Sequence, residues 1–209
     1  DSMTTPTEWM KDEYNDLVSK GFDWKPPVIT GASSARCIID GTEKIMLCAN
    51  NYLNLSTHPK VRQAAKDAVD THGAGSGSVR PIAGNMDIHN QLEESIARFK
   101  NREAALYYQT GFAVNSGLIP QLAGKNDAII SDQLNHGSII DGVRLSGVKK
   151  ENRTIYLHND MGSLEDQLKT MTKKCDKTLV ISDGVFSMDG DIAPLDEITR
   201  LAREYGAMT

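Results

Sequence analysis

The loop at residues 109–112, with the sequence Gln-Thr-Gly-Phe, is the first of three polar loops whose residue types suit chemistry. It follows a predicted strand and opens a predicted helix, where free amide donors and the helix dipole favour an anion. Its glycine, Gly111, lets a ligand approach the backbone closely. The loop is therefore a candidate phosphate site, although many strand-to-helix turns carry a glycine for purely steric reasons.

A second loop, residues 131–138, contains His136 at the boundary between a predicted strand and a predicted helix. A lone histidine at such a boundary usually caps the helix or bonds a carbonyl group. The alternative is a flat imidazole that stacks on a cofactor ring and also moves a proton. Residue type and position leave both interpretations open.

The third loop, residues 182–191, is rich in small and acidic residues. One interpretation is a turn-rich connection in which Asp and Ser side chains bond their own backbone. However, loops that follow parallel strands meet at the same edge of the sheet. We therefore expect the three loops to converge there, which favours a functional site.

Two other patterns are weaker signals for chemistry. The glycine cluster at residues 73–78 lacks the third glycine of a dinucleotide loop and the Gly-Lys-Ser/Thr of a phosphate loop, so it predicts a flexible connection after a helix. Cys37, Cys48 and Cys175 form no C-x-x-C pair. We expect structural thiols, with no disulfide and no metal site.

The rest of the chain supplies the elements that position these loops. Apolar spacing and the Asp40-Gly41 pair predict an N-terminal helical arm over residues 8–20, followed by a small hairpin sheet. From Pro59 onward, helix-sized segments alternate with short apolar runs, which predicts an α/β fold with a mostly parallel sheet and flanking helices. The predicted helices span residues 59–72, 89–100, 111–122, 138–145, 162–171 and 195–205, and the predicted strands span residues 104–108, 128–131, 154–157 and 178–182. We divide the chain into an arm and small-sheet segment, residues 1–48, and part of a larger domain, residues 49–209.

Composition excludes several classes of protein. The 209 residues are 39% hydrophobic and 24% charged with a formal net charge of -5, as in an ordinary globular chain. The absence of a Lys/Arg-rich block argues against nucleic acid or an anionic membrane as a partner. No apolar run approaches the length of a membrane span, and the N-terminus does not look like a secretory signal. Together with the odd number of cysteines, this predicts a cytoplasmic protein.

Five motifs, in this order, resemble the α-oxoamine synthases, a family of pyridoxal-phosphate (PLP) enzymes with the type I aminotransferase fold. They are Ala-Asn-Asn-Tyr-Leu at 49–53, Gly-Ser-Val-Arg at 77–80, Ile-Ala-Gly at 82–84, the segment 132–144 with its Asn-His and Ile-Ile-Asp-Gly, and the segment 183–191. The resemblance implies the large domain of that fold, in part. It is greatest to the glycine C-acetyltransferases, which interconvert glycine plus acetyl-CoA with 2-amino-3-ketobutyrate plus CoA. The alternatives within the family are 8-amino-7-oxononanoate synthase and serine palmitoyltransferase.

The resemblance also implies roles for individual residues. Gly111 and Phe112 match positions whose backbone holds the cofactor phosphate, and His136 matches the catalytic histidine that stacks on the pyridine ring. Ser187 matches a serine that bonds the cofactor's phenolic oxygen, and Asn50 lies in the segment that faces the amino-acid substrate. The implied reaction joins an acyl-CoA to an amino acid through a carbanion that PLP stabilises.

The resemblance further implies that part of the enzyme lies outside this chain. In relatives, the aspartate that binds the ring nitrogen and the lysine that binds the cofactor follow a helix like the one predicted at residues 195–205, so we expect both beyond Thr209. The expected protein partners are the remaining carboxy-terminal half, on another chain or missing, and a second copy in a homodimer. A non-catalytic fragment or partner subunit without the lysine is the competing hypothesis.

Overall fold

The computed structural model describes residues 5–209, which divide into two units. The first unit ends at Met86, and the second extends from Asp87 to Thr209. The predicted boundary after residue 48 falls inside the first unit, and residues 1–4 of the predicted N-terminal segment lie outside the described residues. The three loops with predicted chemistry all lie in the second unit.

The first unit contains the predicted arm helix and the predicted hairpin. Helix α1 (Glu8–Ser19) precedes an antiparallel sheet of β1 (Ile29–Thr30), β2 (Arg36–Ile39) and β3 (Thr42–Ile45). Between β2 and β3, Asp40 and Gly41 have φ values of 47° and 76°, the left-handed turn that an Asp-Gly pair favours. Helix α2 (Pro59–His72) begins with proline and ends at Gly73, as capping preferences predict.

A parallel sheet of three strands forms the centre of the second unit. Its strand order is β5 (Arg153–Tyr156), β4 (Ala128–Asp132) and β6 (Thr178–Ile181). The helices of this unit match the predicted segments within a few residues: α3 (Asp87–Phe99), α4 (Gly111–Leu122), α5 (Gly137–Leu145), α6 (Met161–Lys174) and α7 (Leu195–Glu204). Helix α5 connects β4 to β5, and α6 connects β5 to β6. The predicted α/β fold, with a parallel sheet and flanking helices, is confirmed.

The central strand β4 is buried on both faces. Ile129 packs with residues of α4 and α5, whereas Ala128 and Ile130 pack with residues of α6 and α7. Successive side chains of a strand point to opposite faces, so a continuous apolar run suits a sheet covered on both sides. Burial also raises the pKa of Tyr156 to about 12, so this phenol stays neutral in the core. The polar loops therefore leave from strand ends that the core holds in place.

The predicted strand at residues 104–108 is wrong. These residues form no strand with any part of the chain within residues 5–209. The side chain of Leu106 is 67% exposed, and the amide of Tyr107 donates to the carboxylate of Glu93 at 2.8 Å. Apolar residue types favour a strand, but a strand also requires a neighbour with free backbone groups, and residue types alone do not supply one.

After β6 the chain forms a short antiparallel hairpin of β7 (Val185–Phe186) and β8 (Asp191–Ile192). Beyond α7, Met208 lies beside β6, where its amide donates to the carbonyl of Thr178 at 2.9 Å and its carbonyl accepts from the amide of Val180 at 2.8 Å. Leu179 and Met208 thus form an isolated parallel bridge at this side of the sheet. Among the described residues, no helix is both long and apolar enough to cross a membrane.

Candidate cofactor site

A cavity of about 320 Å³ lies at the carboxyl end of the parallel sheet. Its walls come from the starts of α4 and α5, the loop after β6 and the β7–β8 hairpin. Gly111, Phe112, His136 and Ser187, the four predicted cofactor residues, all line it. The three predicted loops thus converge on one space. The predicted substrate residue Asn50 lies in the first unit, where its side chain is exposed.

The start of helix α4 presents two free amide donors to the cavity. The hydroxyl of Thr110 caps the helix by accepting from the amide of Ala113 at 3.0 Å, and its carbonyl accepts from the amide of Val114 at 3.1 Å. The amides of Gly111 and Phe112 have no hydrogen-bond partner in the described chain. A Cβ added at Gly111 would meet no atom within 4 Å, so the protein's own packing does not require glycine there. This argues against the purely steric explanation and leaves room for an anion.

The ring of His136 is held in one orientation by helix α5. Its Nδ1 accepts from the amide of Ser138 at 3.1 Å and lies 2.7 Å from the Ser138 hydroxyl oxygen. Because the Ser138 amide can only donate, Nδ1 is an acceptor and the Ser138 hydroxyl donates to it, while the hydroxyl oxygen accepts from the side-chain amide of Asn115 at 2.9 Å. Because Nδ1 is the acceptor, the neutral ring carries its proton on Nε2. The helix cap expected of an ordinary histidine is present, and the same ring also lines the cavity, so the two interpretations do not exclude each other.

Two side chains that the sequence analysis did not assign to the site fix this wall. The Asn135 side-chain amide donates to the hydroxyl of Ser131 at 2.9 Å and to the carbonyl of Ile181 at 2.8 Å, and its oxygen accepts from the amide of Asp183 at 2.7 Å. The Asp183 carboxylate accepts from the amide of His136 at 2.8 Å. Asn135 thereby ties the ends of β4 and β6 together. The sequence shows that Asn135 and Asp183 follow predicted strands. Their hydrogen-bond partners depend on which strands are neighbours in the sheet, and the sequence does not show this.

Ser187 lies on the β7–β8 hairpin, and its exposed hydroxyl makes no hydrogen bond within the described chain. The hairpin contacts His158, which the sequence analysis did not select. The His158 Nδ1 donates to Asp132 at 2.9 Å, and its ring packs against Phe186. The partners Asp132 and Asp191 lie 26 and 33 residues from His158 along the chain, so no local pattern could have indicated this cluster.

Comparison with known proteins identifies the family. Residues 42–209 match the family model described as aminotransferase class I and II. The chain belongs to this family. Its relatives include the 8-amino-7-oxononanoate synthases of Alkaliphilus metalliredigens, 48% identical over 202 residues, and of Symbiobacterium thermophilum, 49% identical over 203 residues. These alignments cover 97% of this chain but 50% and 51% of the relatives, so the chain spans about half the length of the curated relatives it matches.

A solved structure supports the same relationship. A serine palmitoyltransferase from S. paucimobilis with a bound PLP–myriocin aldimine has a TM-score of 0.85 to this chain at 30% identity, and the match covers 100% of this chain and 52% of that one. The relatives therefore confirm the predicted resemblance to the α-oxoamine synthases. They do not single out the glycine C-acetyltransferases among them.

The cavity of this aminotransferase-family chain suits PLP in three respects. Free amides and the helix dipole at the start of α4 can bind a phosphate, the held imidazole of His136 can stack on a ring, and the hydroxyl of Ser187 can bond an oxygen. No lysine or arginine lines the cavity among residues 5–209. A bound anion would thus be balanced by backbone donors. The described residues contain no cluster of three or more His, Cys, Asp or Glu that could hold a metal ion.

Proposed function

We propose that this chain forms the amino-terminal, cofactor-binding half of a PLP-dependent acyltransferase that condenses an acyl-CoA with an amino acid. The observation that supports this most directly is the start of α4, where Gly111 and Phe112 offer free amides although the protein's packing does not require glycine. The ring of His136 and the hydroxyl of Ser187 line the same cavity. A ligand with an anion, a flat ring and a hydrogen-bonding oxygen would use all of these groups.

Each residue has a distinct role in this proposal. Gly111 and Phe112 bind the phosphate through their amides, and the α4 dipole stabilises its charge. His136 stacks on the ring and holds a proton on Nε2. Ser187 donates its hydroxyl hydrogen to the phenolic oxygen, and Asn50 contacts the amino acid. PLP, when bound, supplies an electron sink for the negative charge that develops on the α carbon of the amino acid.

The start of α4 can be tested with a substitution that the fold tolerates. We expect Gly111→Ala to leave the stability of the chain unchanged or to raise it by about 0.4–1 kcal/mol, because the new methyl group touches no protein atom. The same methyl group occupies the space of the phosphate, so the dissociation constant for PLP should rise about tenfold or more. Absorbance titration with PLP measures the affinity, and urea denaturation measures the stability.

The matched control is Gly117→Ala, on the same helix, where an added Cβ would make only an ordinary contact at 3.6 Å with Tyr108. This variant should bind PLP like the parent chain. Equal PLP affinity of Gly111→Ala and the parent would contradict the proposed phosphate site.

The substrate pair is a finer question within the family. The motif at residues 135–144 favours glycine with acetyl-CoA. The relatives at 48% and 49% identity, over 97% of the chain, are named for 8-amino-7-oxononanoate. That product consists of a seven-carbon acyl group with a terminal carboxylate, joined to a two-carbon aminoethyl group. The acyl group would come from a carboxyacyl-CoA, and alanine would supply the aminoethyl group after loss of its carboxylate. Because this likeness extends over nearly the whole chain, we place the alanine and carboxyacyl-CoA pair first and the glycine and acetyl-CoA pair second.

Steady-state rates decide between these pairs in the polypeptide that joins this segment to the lysine-bearing half. The assay compares three substrate pairs: alanine with the seven-carbon carboxyacyl-CoA, glycine with acetyl-CoA, and serine with palmitoyl-CoA. We expect the highest rate with alanine and the seven-carbon carboxyacyl-CoA, a lower rate with glycine and acetyl-CoA, and the lowest rate with serine and palmitoyl-CoA. A clear preference for serine with palmitoyl-CoA would overturn the assignment.

A second candidate is a non-catalytic partner subunit that keeps the fold and the phosphate site. The absence of a lysine from the cavity lining, within the described residues, favours this alternative. For the enzyme we propose a cytoplasmic homodimer, and the thiols of Cys37, Cys48 and Cys175, which are free, suit a reducing compartment. Acyl-CoA-dependent turnover by the joined polypeptide, and its absence from this chain alone, would favour the enzyme.

A further inference from the structure

The β7–β8 hairpin, which carries Ser187, is too short to hold its own position. Each strand has two residues, and the only pairs are Val185 with Ile192 and Phe186 with Asp191 among the residues described. An isolated two-stranded ribbon of this length is not stable in water. The position of the hairpin therefore depends on contacts with the rest of the second unit.

His158, which follows β5, contacts both strands of the hairpin with one imidazole. Its Nε2 lies 3.1 Å from Oδ2 of Asp191 in β8. Its ring packs edge-on against Phe186 in β7, with ring centroids 4.4 Å apart and planes at 84°. Phe186 and Asp191 are directly opposite each other in the hairpin, so one ring can reach both. Phe186 in turn lines the cavity.

The other side of the ring is attached to the sheet through Asp132. Nδ1 of His158 lies 2.9 Å from the Asp132 carboxylate, whose side chain is fully buried. The same carboxylate accepts from the amides of Leu134 at 2.8 Å and Asn159 at 3.2 Å. Three donors fix this carboxylate at the end of β4. His158 therefore connects a fixed point of the core to a weakly supported hairpin.

The protonation state of His158 decides whether its Nε2 donates a hydrogen bond to Asp191 in the hairpin. With one proton, on Nδ1, its Nε2 accepts from the side-chain amide of Asn159 at 3.1 Å and presents a lone pair to Asp191. With both nitrogens protonated, Nε2 donates to Asp191 instead. The charged groups that face the ring are Asp132 from β4 and Asp191 from β8, whereas Phe186 from β7 brings no charge.

Both carboxylates favour the protonated ring. The hydrogen bond to Asp132 is the largest cause that raises the pKa of His158 above its ordinary value of 6.5, partial burial opposes it, and the hydrogen bond to Asp191 raises it further. A group whose folded pKa is raised stabilises the fold fully below its ordinary pKa. The contribution is lost as the pH rises through the raised value.

We propose that His158 is a positioning residue for the cavity, because its protonated ring bridges Asp132 and Asp191 and thereby fixes the hairpin that carries Ser187. The consequence for cofactor binding rests on the proposed function. The bridge itself is a property of the chain without any ligand.

Amide hydrogen exchange of the hairpin tests the bridge directly. After correction for intrinsic rates, residues 185–192 should exchange about two- to fivefold faster at about pH 8.5 than at about pH 5.5. In Asp191→Asn this pH dependence should disappear, because the introduced side-chain amide can bond the neutral ring and no longer favours the charged one. The control is Asp166→Asn, which removes the same charge from an exposed position of α6 and should behave like the parent chain.

A second variant, His158→Asn, removes the bridge itself. Its side chain can still donate to Asp132 but cannot reach Asp191, so the hairpin should exchange rapidly at both pH values.

Hairpin exchange that does not depend on pH in the parent, or that depends on it equally in Asp191→Asn, would overturn the proposal. PLP titration of the same proteins gives a separate readout. If the parent binds no PLP but its hairpin exchange follows the expected pattern, the proposed function fails and the bridge stands. If PLP binds and the exchange pattern is absent, the bridge fails and the proposed function stands.

Discussion

His136 serves the protein and the proposed ligand with different parts of one imidazole. Nδ1 is taken up by the cap of α5, through the amide and hydroxyl of Ser138, so the ring face and Nε2 remain for the cavity. The backbone amide of His136 is held separately by Asp183. Because capping and stacking use different atoms, substitutions at this one position can separate them.

We expect His136→Asn to weaken PLP binding about three- to tenfold, since the loss of ring stacking removes about 0.5–1.5 kcal/mol. Asparagine is a good helix cap, so the free energy of unfolding should hardly change. His136→Phe is the reciprocal variant. It keeps a ring but loses the cap, so it should retain most of the PLP affinity while its stability falls by about 1 kcal/mol. Unchanged PLP affinity in His136→Asn, by absorbance titration, would argue against stacking.

At the scale of elements, the close approach of α4 and α5 sets the distance between two walls of the cavity. A Cβ at Gly142, in α5, would overlap the carbonyl oxygen of Asn115 in α4 and lie 2.8 Å from Cδ1 of Ile119. The glycine therefore allows a contact between helices that any larger residue prevents. Helix α4 presents Gly111 and Phe112 and α5 begins after His136, so this contact also aligns the proposed phosphate and ring sites.

Gly142→Ala should lower the free energy of unfolding by about 1–3 kcal/mol, as overpacking of a well-packed contact typically does. Helix propensity alone predicts the opposite change, because alanine in a helix interior is intrinsically about 1 kcal/mol more favourable than glycine. A fall in the free energy of unfolding would therefore indicate overpacking. Urea denaturation measures the change. Gly147→Ala, where the nearest atom to an added Cβ is 3.9 Å away, is the matched control and should be nearly neutral. A Gly142→Ala variant as stable as the parent would show that the helices can separate freely.

For the whole molecule, the proposed function raises the question of what a chain that spans about half the length of its relatives can do. In the proposed function the cavity binds a phosphate, a ring and a phenolic oxygen, but no lysine lines it among the residues the structure describes. Cofactor binding and turnover therefore have different requirements. Cofactor binding needs hydrogen-bond donors, which residues 87–209 supply. Turnover also needs an amine at the cofactor's aldehyde.

This chain alone, mixed with PLP and reduced with borohydride, should show scattered, substoichiometric labelling of lysines and no turnover. Preorganised groups at a reacting centre usually lower the activation free energy by several kcal/mol. A surface lysine that is not held at the reacting centre provides none of this stabilisation. Peptide mass spectrometry locates the labelled residues. One stoichiometrically labelled lysine, together with acyl-CoA-dependent turnover, would show that the chain is catalytically sufficient.

The complete protein should sediment as a two-fold dimer at micromolar concentration. The family resemblance implies this, self-complementary association is the commonest form of oligomer, and Trp9, Tyr14 and Leu17 of α1 are all exposed apolar side chains. Analytical ultracentrifugation over a range of concentrations makes the measurement. A monomer throughout that range would contradict the prediction.

The alternation of helices and strands, the Asp40-Gly41 turn and the three loops that meet at the cavity could all be predicted from the amino-acid sequence. Periodicity and turn residues are patterns within short segments of sequence, and the alternation of helices with strands indicates parallel strands whose carboxyl ends share one edge. The strand predicted at residues 104–108 did not form, because strand formation requires a neighbour that residue types cannot specify. The family motifs also indicated Gly111, Phe112, His136 and Ser187, which the fold brings together.

The contacts that hold these residues in place could be found only in the folded chain. Asn135 joins two strand ends, Gly142 sets the approach of two helices, and His158 connects Asp132 to Asp191 across 26 and 33 residues of sequence. Each of these contacts joins segments that are distant along the chain. Their geometry follows from which strands and helices become neighbours, and the whole core sets that arrangement.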